Sequence, residues 1–475
     1  MAIVREQDTI AAIATALSPS GIGIVRVSGP EAMSVASRVF RAGGAAADVS
    51  SYESHTAHYG FVCSPADGRV IDEVILLVMK APRTYTREDT VEIDCHGGVL
   101  VTKRVLEAVL AAGARLAEPG EFTRRAYLNG RIDLTQAEAV AEIISAKNEL
   151  SLKNSVRQLR GRERREISTI REELLRKIAQ IEATLDDPEH LSFEGFEEKI
   201  TKQTEAQLRV LQHLIDTADD GRRIREGIRT VIVGRPNAGK SSLLNALLGE
   251  SRAIVTDIAG TTRDTLTEEV RLRGVTLLLV DTAGMHNTED TVEKIGVERA
   301  KEAAAEADLI LFVADGAEAL TDDDRAILRE YANKPMIALL NKSDLPAVTS
   351  VSELRSEAEA ARGAEGNDPA LFAMSISART EEGIEALTER IAEMFFTEKL
   401  RMDEECIITS ERHRTALQAA ADSLYRVRES IAAGMPEDFY TIDLTAAYAS
   451  LGSILGEEPD EDVINMIFAE FCLGK

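Results

Sequence analysis

Residues Gly234–Ser241 have the spacing of a phosphate-binding loop. The segment Gly-Arg-Pro-Asn-Ala-Gly-Lys-Ser fits the pattern G-x-x-x-x-G-K-[ST] directly after a predicted strand and before a predicted helix. The glycines let backbone N–H groups turn inward around phosphates, and the helix N-terminus adds a positive field. Lys240 should reach the β- and γ-phosphates, and the Ser241 hydroxyl should bind Mg²⁺. The expected nucleotide contacts in this segment are Asn237, Ala238, Gly239, Lys240, Ser241 and Ser242.

Three further motifs follow in the order expected of a GTPase. The first ends a predicted strand, and its Asp281 should hold Mg²⁺ through water while the Gly284 N–H faces the γ-phosphate. In the second, the Asp344 carboxylate can accept two N–H donors from guanine, a pair that adenine lacks, and leaving it unpaired would cost about 1–3 kcal/mol. The third offers backbone N–H groups to the guanine carbonyl oxygen. The motifs are Asp281, Thr282, Ala283 and Gly284; Asn341, Lys342, Ser343 and Asp344; and Ser377, Ala378 and Arg379.

Two features of this set are unusual. Met285 stands where many small GTPases have a glutamine that orients water, so hydrolysis is either very slow or aided by another group. The loop Thr256–Asp264 carries carbonyls and hydroxyls that could wrap a second cation, and the neutral side-chain oxygen of Asn237 points the same way.

The elements around these motifs predict an α/β domain. Apolar runs of strand length alternate with helical segments, which indicates a parallel sheet covered on both faces. Val270–Leu272 and Val275–Val280 flank Arg273-Gly274 and predict a hairpin at one edge. The runs are Thr230–Gly234, Val275–Asp281, Leu309–Asp315, Pro335–Asn341 and Leu371–Ser377.

The regions on either side of the GTPase motifs have different sequence patterns. Residues 1 to about 130 predict an α+β domain, with strands Ile22–Val27, Val74–Val78 and Val91–Asp94 and a helix Val99–Ala112. A second region, from residue 134 to about 185, predicts a long helix with one apolar stripe: Ile167, Ile170, Leu174, Ile178, Ile181 and Leu185. Further helices are expected at residues 197–219 and after about 395. The two helical regions should pack together, with the GTPase domain inserted between them.

Composition limits the partners of the chain. The net charge of −26 repels phosphate backbones at long range, so RNA contact needs a local basic patch or a basic partner. A solvated helix face explains the basic cluster better than an RNA-binding stripe; its members are Arg157, Arg160, Arg162, Arg164 and Arg165. The four cysteines form no C-x-x-C pair and predict free thiols in a reducing cytoplasm. No signal peptide or membrane span is expected.

Taken together, the motifs resemble the MnmE (TrmE) family of bacterial tRNA-modification GTPases over essentially the whole chain. The resemblance rests on GRPNAGKSSLLNAL at 234–247, TDIAGTTRD at 256–264, VEKIGVERA at 292–300, PGEF at 119–122, LNGRIDLTQAEA at 128–139 and CLGK at 472–475. It implies four segments. They are an aminomethyltransferase-like α+β domain for tetrahydrofolate binding and dimerisation at 1–132, a helical part at 133–220, a Ras-like GTPase domain at 221–389 and a second helical part at 390–475.

The resemblance also implies a cation-dependent GTPase site. Potassium maps onto Asn237, Thr256, Ile258 and Thr261, and Mg²⁺ maps onto Ser241 and Thr262. The intervening Asp257, Ala259 and Gly260 belong to the same nucleotide-binding loop. Glu293 maps onto the catalytic residue that orients water through a second water; the alternative is a solvated helix position. Paired GTPase domains, with potassium replacing an arginine finger, are expected.

For the first domain, the resemblance implies a folate site at Arg26, Glu92, Arg131 and the terminal Lys475. Arg131 replaces a lysine of some relatives, which keeps the charge but changes the hydrogen-bond geometry. An ordinary Arg26–Glu92 ion pair is the alternative. Cys472 is either a small buried hydrophobe or an active-site thiol, and His96 is better explained as a strand-end residue than as a base.

The implied function is GTP hydrolysis coupled to tRNA modification. A homodimer would work with the flavoprotein MnmG (GidA), in a heterotetramer or larger complex. It would add an aminomethyl or carboxymethylaminomethyl group to carbon 5 of the wobble uridine. The one-carbon unit would come from 5-formyltetrahydrofolate or another one-carbon tetrahydrofolate. The rival hypotheses are a GTP-switched RNA-binding or ribosome-assembly GTPase, for which no basic G-x-x-G loop is apparent, and a folate-dependent transferase with a regulatory GTPase.

Overall fold

The computed structural model divides the chain into two compact units. It describes residues 8–186, 196–251, 267–272, 275–280, 304–363, 371–395, 406–457, 461–469, 471 and 474. The first unit comprises Met1–Ile144, Ser155–Ser192 and Pro436–Lys475, and the second comprises Ser145–Asn154 and Phe193–Met435.

An eight-stranded sheet forms the first unit, in the order β4-β3-β5-β6-β7-β2-β1-β8. Neighbouring strands are antiparallel except β1 and β8. The strands are β1 Ile10–Ile13, β2 Ile22–Ser28, β3 Phe40–Ala42, β4 Ala45–Ala46, β5 Thr56–Cys63, β6 Val70–Met79, β7 Thr90–His96 and β8 Arg115–Leu116. Alternate residues such as Val74, Leu76 and Val78 are buried, as expected when one face of a strand meets the core. The predicted strands in this region are confirmed.

Two helices, α1 and α2, share one core with this sheet. The helices of residues 8–251 are α1 Ala32–Val39, α2 Val99–Ala111, α3 Glu121–Leu128, α4 Leu134–Ser145, α5 Glu149–Leu159, α6 Arg162–Asp186, α7 Phe196–Glu226 and α8 Lys240–Ser251. Those of the remaining described residues are α9 Asp322–Glu330, α10 Val351–Arg362, α11 Ile384–Phe395, α12 Glu411–Ala432, α13 Glu437–Leu455 and α14 Glu461–Ala469. Within the part of the chain that the structure describes, no helix is both long and apolar enough to cross a bilayer.

Long helices from before and after the GTPase region pack together, as predicted. In the first unit α6 packs on α13, and in the second α7 packs on α12. The apolar stripe of α6 is buried from Ile167 to Ile181. Leu185 departs from that prediction: it lies in the last turn of the helix and is 45% exposed.

In the second unit, a six-stranded sheet has the order β10-β11-β9-β12-β13-β14. All neighbours are parallel except the edge hairpin β10–β11, which confirms both the parallel sheet and the hairpin. Its strands are β9 Ile228–Val233, β10 Thr267–Leu272, β11 Val275–Val280, β12 Leu309–Asp315, β13 Met336–Asn341 and β14 Leu371–Ser375. Separate hydrophobic clusters cover its two faces. Gly221 and Glu389 lie inside α7 and α11, and the four proposed segment boundaries stay predictions.

Candidate functional site

The phosphate-binding loop connects β9, which ends at Val233, to α8, which begins at Lys240. Its glycines are required by close packing. A Cβ on Gly234 would lie 2.2 Å from the Val313 carbonyl oxygen, and one on Gly239 would lie 2.1 Å from the Asn341 side-chain nitrogen. Both have positive φ, which glycine adopts without strain. The loop is therefore fixed against the carboxyl ends of β12 and β13.

The contacts of Lys240 and the backbone of Asn237 define the shape of this loop. The Lys240 ammonium donates to the carbonyl oxygens of Gly234 at 2.9 Å and Arg235 at 2.8 Å, so its charge is held over the loop. Asn237 has a left-handed backbone with φ of 65°, a conformation in which asparagine is one of the few tolerated residues.

Asn341 ties the phosphate-binding loop to the loop after β14. Its side-chain nitrogen donates to the Ala238 carbonyl at 2.9 Å, and its side-chain oxygen accepts from the Ala378 N–H at 3.0 Å. The side chain is buried, so both backbone groups depend on this one amide. Three motifs far apart in sequence are thereby joined.

A cavity of about 520 Å³ opens beside this bridge. It is lined by all three motifs that the sequence predicted for the described part of the nucleotide site. Asn245, one turn after Ser241 on α8, also lines it, together with Ala246, Leu345 and Glu381. Sequence reasoning missed these four, although the spacing of Asn245 from Ser241 on a helix would have pointed to Asn245. The full lining is Gly239, Ser242, Asn245, Ala246, Asn341, Lys342, Asp344, Leu345, Ala378, Arg379 and Glu381.

Asp344 is held in this cavity as an ionised acceptor. The Ser377 hydroxyl donates to its carboxylate at 2.7 Å and lowers the pKa of Asp344, and Ser377 itself accepts from the Thr380 N–H at 3.2 Å. Lys342 pairs with the buried Asp315 at 2.5 Å. A carboxylate aimed by this chain of hydrogen bonds can accept the two N–H donors of a guanine edge.

The remaining predicted residues of the nucleotide and cation site lie outside the described residues. They are Thr256, Asp257, Ile258, Ala259, Gly260, Thr261, Thr262, Asp281, Thr282, Ala283, Gly284, Met285 and Glu293. Of the proposed cation ligands, Asn237 and Ser241 are described. No cluster of three or more His, Cys, Asp or Glu side chains suited to a metal occurs among the residues with described positions.

A second group of predicted residues meets on the sheet of the first unit. Arg26 and Glu92 are direct cross-strand partners on β2 and β7, and their side chains form an ion pair with an Nε–Oε1 distance of 2.7 Å. Each side chain is only 16% exposed. Arg26 also donates from Nη1 to the carbonyl oxygen of Gly474 at 3.2 Å, which brings the end of the chain to this pair.

Arg131 and Arg26 both lie against the ring of Tyr85. The guanidinium carbons of Arg131 and Arg26 lie 4.7 Å and 5.8 Å from the centre of its ring, and Phe122 lies 5.6 Å from Arg26. Burial raises the pKa of Tyr85. Sequence reasoning missed both aromatic residues, although Phe122 belongs to the PGEF motif it singled out. Two guanidiniums, one carboxylate and an aromatic face suit a planar, anionic ligand.

Lys475 and Cys472, the other predicted members of this region, lie outside the described residues. Within the described range, Cys63 and Cys95 are buried and Cys406 is half-buried, and none of these three forms a disulfide. His96 ends β7 with its side chain 70% exposed and bonds Asp72 through Nδ1 at 2.8 Å. That bond raises the pKa of His96 and agrees with a strand-end role.

The basic cluster at the α5–α6 turn lies on a polar helix surface. Arg160, Arg164 and Arg165 are exposed. Arg164 lies 3.5 Å from Asp133, and Arg165 donates to the Arg160 carbonyl at 3.2 Å. Exposure fits both interpretations of the cluster, so the solvated-face interpretation stays a prediction.

Comparison with known proteins gives two matching family models. Residues 9–131 match the model described as GTP-binding protein TrmE N-terminus, and residues 134–472 match the MnmE helical domain. A tRNA modification GTPase MnmE from Lachnoclostridium phytofermentans is 52% identical over 98% of this chain and 99% of its own length. The protein of that name from Lactobacillus delbrueckii subsp. bulgaricus is 46% identical over 99% of both chains. The solved G domain of T. maritima FeoB is 26% identical over 35% of this chain and 96% of its own, with a TM-score of 0.25.

Proposed function

The chain belongs to the MnmE (TrmE) family of tRNA modification GTPases, and we propose that its GTP hydrolysis drives modification of the wobble uridine of certain tRNAs. In this proposal the chain acts with a flavoprotein of the MnmG (GidA) type in the cytoplasm. The group added at carbon 5 is of the aminomethyl or carboxymethylaminomethyl kind, and its carbon comes from a one-carbon tetrahydrofolate. Membership of this family is the evidence for the GTPase activity and for its link to tRNA modification.

The assembled base pocket is the observation that supports guanine selectivity. Asn341 joins the phosphate loop to Ala378, and Ser377 aims Asp344 into the cavity between them. GTP would place its guanine edge against Asp344 and its phosphates over the loop that ends at Lys240. Mg²⁺ would be held by the Ser241 hydroxyl, with Thr262 and Asp281 as further members of its site.

Potassium activation is proposed for hydrolysis itself. Asn237 offers an uncharged oxygen from the loop, and Met285 provides no group that can orient water. Potassium at Asn237, Thr256, Ile258 and Thr261 would stabilise the charge that develops on the phosphates, and Glu293 would orient the attacking water. An arginine finger that does this electrostatic work is worth about 10³–10⁵ in rate.

A folate site is proposed where Arg26 and Arg131 lie against the Tyr85 ring and Glu92 pairs with Arg26. The proximity of Gly474 to Arg26 supports a role for the adjacent Lys475. Tetrahydrofolate carries a planar pterin and a carboxylate-bearing tail, and the site offers an aromatic face and two guanidiniums to match them.

Self-association is supported by an apolar area on the same sheet. Tyr59 of β5 and Ile75 of β6 are cross-strand partners that are both exposed, and Ile22 of β2 is exposed as well. Exposed apolar groups clustered on one surface are typical of an interface. We propose that a second copy of the chain covers them in a homodimer.

Hydrolysis rates and tRNA analysis together test this function. Full-length protein should hydrolyse GTP much faster in potassium than in sodium at equal ionic strength, and Glu293→Ala should bind GTP normally but hydrolyse it poorly. Deletion of the gene should remove the modified wobble nucleoside from tRNA, and the parent gene should restore it. Equal rates in the two salts would remove the potassium site, whereas unchanged tRNA nucleosides would remove the modification function.

A further inference from the structure

Asp94 presents a buried acceptor that no described residue uses. Its Oδ1 atom is removed from solvent and has no hydrogen-bond partner among the residues whose positions are described. An unsatisfied buried carboxylate oxygen is costly, so a native structure normally supplies it with a donor. The missing donor is therefore informative.

The sheet register places Asp94 beside the proposed folate site. Asp94 follows Glu92 by two residues on β7, so both side chains project from the same face about 6.6 Å apart along the strand. Its cross-strand neighbours are Ile24 on β2 and Ile75 on β6, and neither side chain can donate a hydrogen bond. Burial, followed by the nearby charge of Glu92, raises the pKa of Asp94.

Glu92 already accepts a hydrogen bond from a described residue, whereas Oδ1 of Asp94 does not. Its Oε1 accepts from Arg26 at 2.7 Å, and this ion pair neutralises much of its charge. A ligand with N–H groups along one edge would compete with a guanidinium at Glu92. At Asp94 a ligand edge that displaced the groups covering Oδ1 would satisfy an oxygen that otherwise stays unpaired, which makes Asp94 the more favourable acceptor.

We propose that Asp94 accepts hydrogen bonds from the N–H edge of the aminopyrimidine ring of a reduced pterin, and that it is the residue that selects for this edge. The assignment rests on the proposed folate site and adds to it a specificity-determining residue. A 2-amino group and the neighbouring ring N–H form a donor pair that a carboxylate matches with its two oxygens. Asp94→Asn would turn an NH₂ group toward these donors and remove the match.

The test compares two ligands on three full-length proteins. Titration calorimetry would measure 5-formyltetrahydrofolate and an analogue whose 2-amino group is replaced by methyl, against the parent, Asp94→Asn and Glu73→Gln. Glu73→Gln is the matched control because it removes a carboxylate from the neighbouring strand β6 that already has a partner, since it accepts a hydrogen bond from the Tyr59 hydroxyl. Circular dichroism of each sample reports whether the variant is folded, and GTP titration checks the nucleotide site of the second unit separately.

We expect the parent and Glu73→Gln to prefer the amino ligand by about ten- to a hundredfold, the range for hydrogen bonds to a charged group, and Asp94→Asn to lose most of that preference. An undiminished preference in Asp94→Asn overturns the assignment while leaving the folate site intact. If that preference persists and sedimentation shows weakened self-association instead, a second copy supplies the donor, which also overturns it. Failure of the parent to bind either ligand, with GTP binding intact, refutes the folate site and the assignment together.

Discussion

Replacing Asn341 by alanine isolates the link between the two halves of the nucleotide site. The variant deprives the Ala238 carbonyl and the Ala378 N–H of their partners at 2.9 Å and 3.0 Å. Both residues are buried, so water cannot readily substitute. Leaving a buried polar group unpaired costs about 1–3 kcal/mol, which gives about 2–6 kcal/mol for the two groups.

That loss should appear mainly as weaker nucleotide binding. Without the amide, the phosphate loop and the loop after β14 are no longer held together, and the nucleotide must order both when it binds. The lower limit of about 2 kcal/mol corresponds to about a 30-fold rise in Kd, since each 1.4 kcal/mol is tenfold. GTP and xanthosine triphosphate should be weakened alike, because the two loops that Asn341 joins must hold either nucleotide.

A fluorescent guanine nucleotide titrated into parent and variant at equilibrium measures this effect. Asn333→Ala is the matched control, since it deletes an exposed side-chain amide from the turn before β13. Its Kd should equal that of the parent. An Asn341→Ala Kd within about threefold of the parent's would mean that the bridge contributes less than about 0.7 kcal/mol and would refute the reasoning.

Three further perturbations have separate readouts. Asp344→Asn should weaken GTP and strengthen xanthosine triphosphate binding, because donor and acceptor change places; unchanged affinities in competition titrations would take Asp344 out of the base pocket. Deleting residues 472–475 removes the carbonyl that Arg26 contacts and should weaken tetrahydrofolate but not GTP binding by calorimetry, whereas equal folate affinity excludes the tail. Arg171 donates to both carboxylate oxygens of Glu457 at 2.5 Å and lowers the pKa of Glu457. The ion pair therefore stabilises the fold at pH values above the ordinary glutamate pKa, and this stabilisation is lost as the pH falls through the lowered pKa. Scanning calorimetry should show Glu457→Gln melting below the parent at pH 7, with a difference that shrinks as the pH falls through the lowered pKa of Glu457; a constant difference contradicts the linkage.

The GTPase sheet was predictable because its signals are local. Strands β12 and β13 are buried along their whole length, and such strands read as continuous apolar runs. The phosphate loop has fixed spacing on a strand–helix junction, so Lys240 and Ser241 could be assigned from the sequence alone. The bridge through Asn341 could not be, because its two partners are 103 and 37 positions away.

The first unit was less predictable because its order depends on distant pairing. Strand β1 pairs with β2 on one side and with the two-residue β8 on the other. The dipeptide Arg115-Leu116 is too short to show the alternating pattern that predicts a strand. The family resemblance identified Arg26, Glu92 and Arg131 as site residues. Tyr85 and Asp94 could be assigned to the same site only from the three-dimensional structure. The helical region from residue 134 is interrupted at Gly161, whose φ of 76° ends the α-helical path before α6 begins.

The contact between Arg26 and Gly474 has a consequence for the order of folding. Its two residues are 448 positions apart, so the loop that the contact closes spans most of the described chain. The entropy cost of closing a loop rises with its length, although slowly. Arg26 cannot make this contact until residue 474 has been synthesised, however early the strands β2 and β7 pair. This part of the candidate site is thus completed after the sheet that carries Arg26 and Glu92.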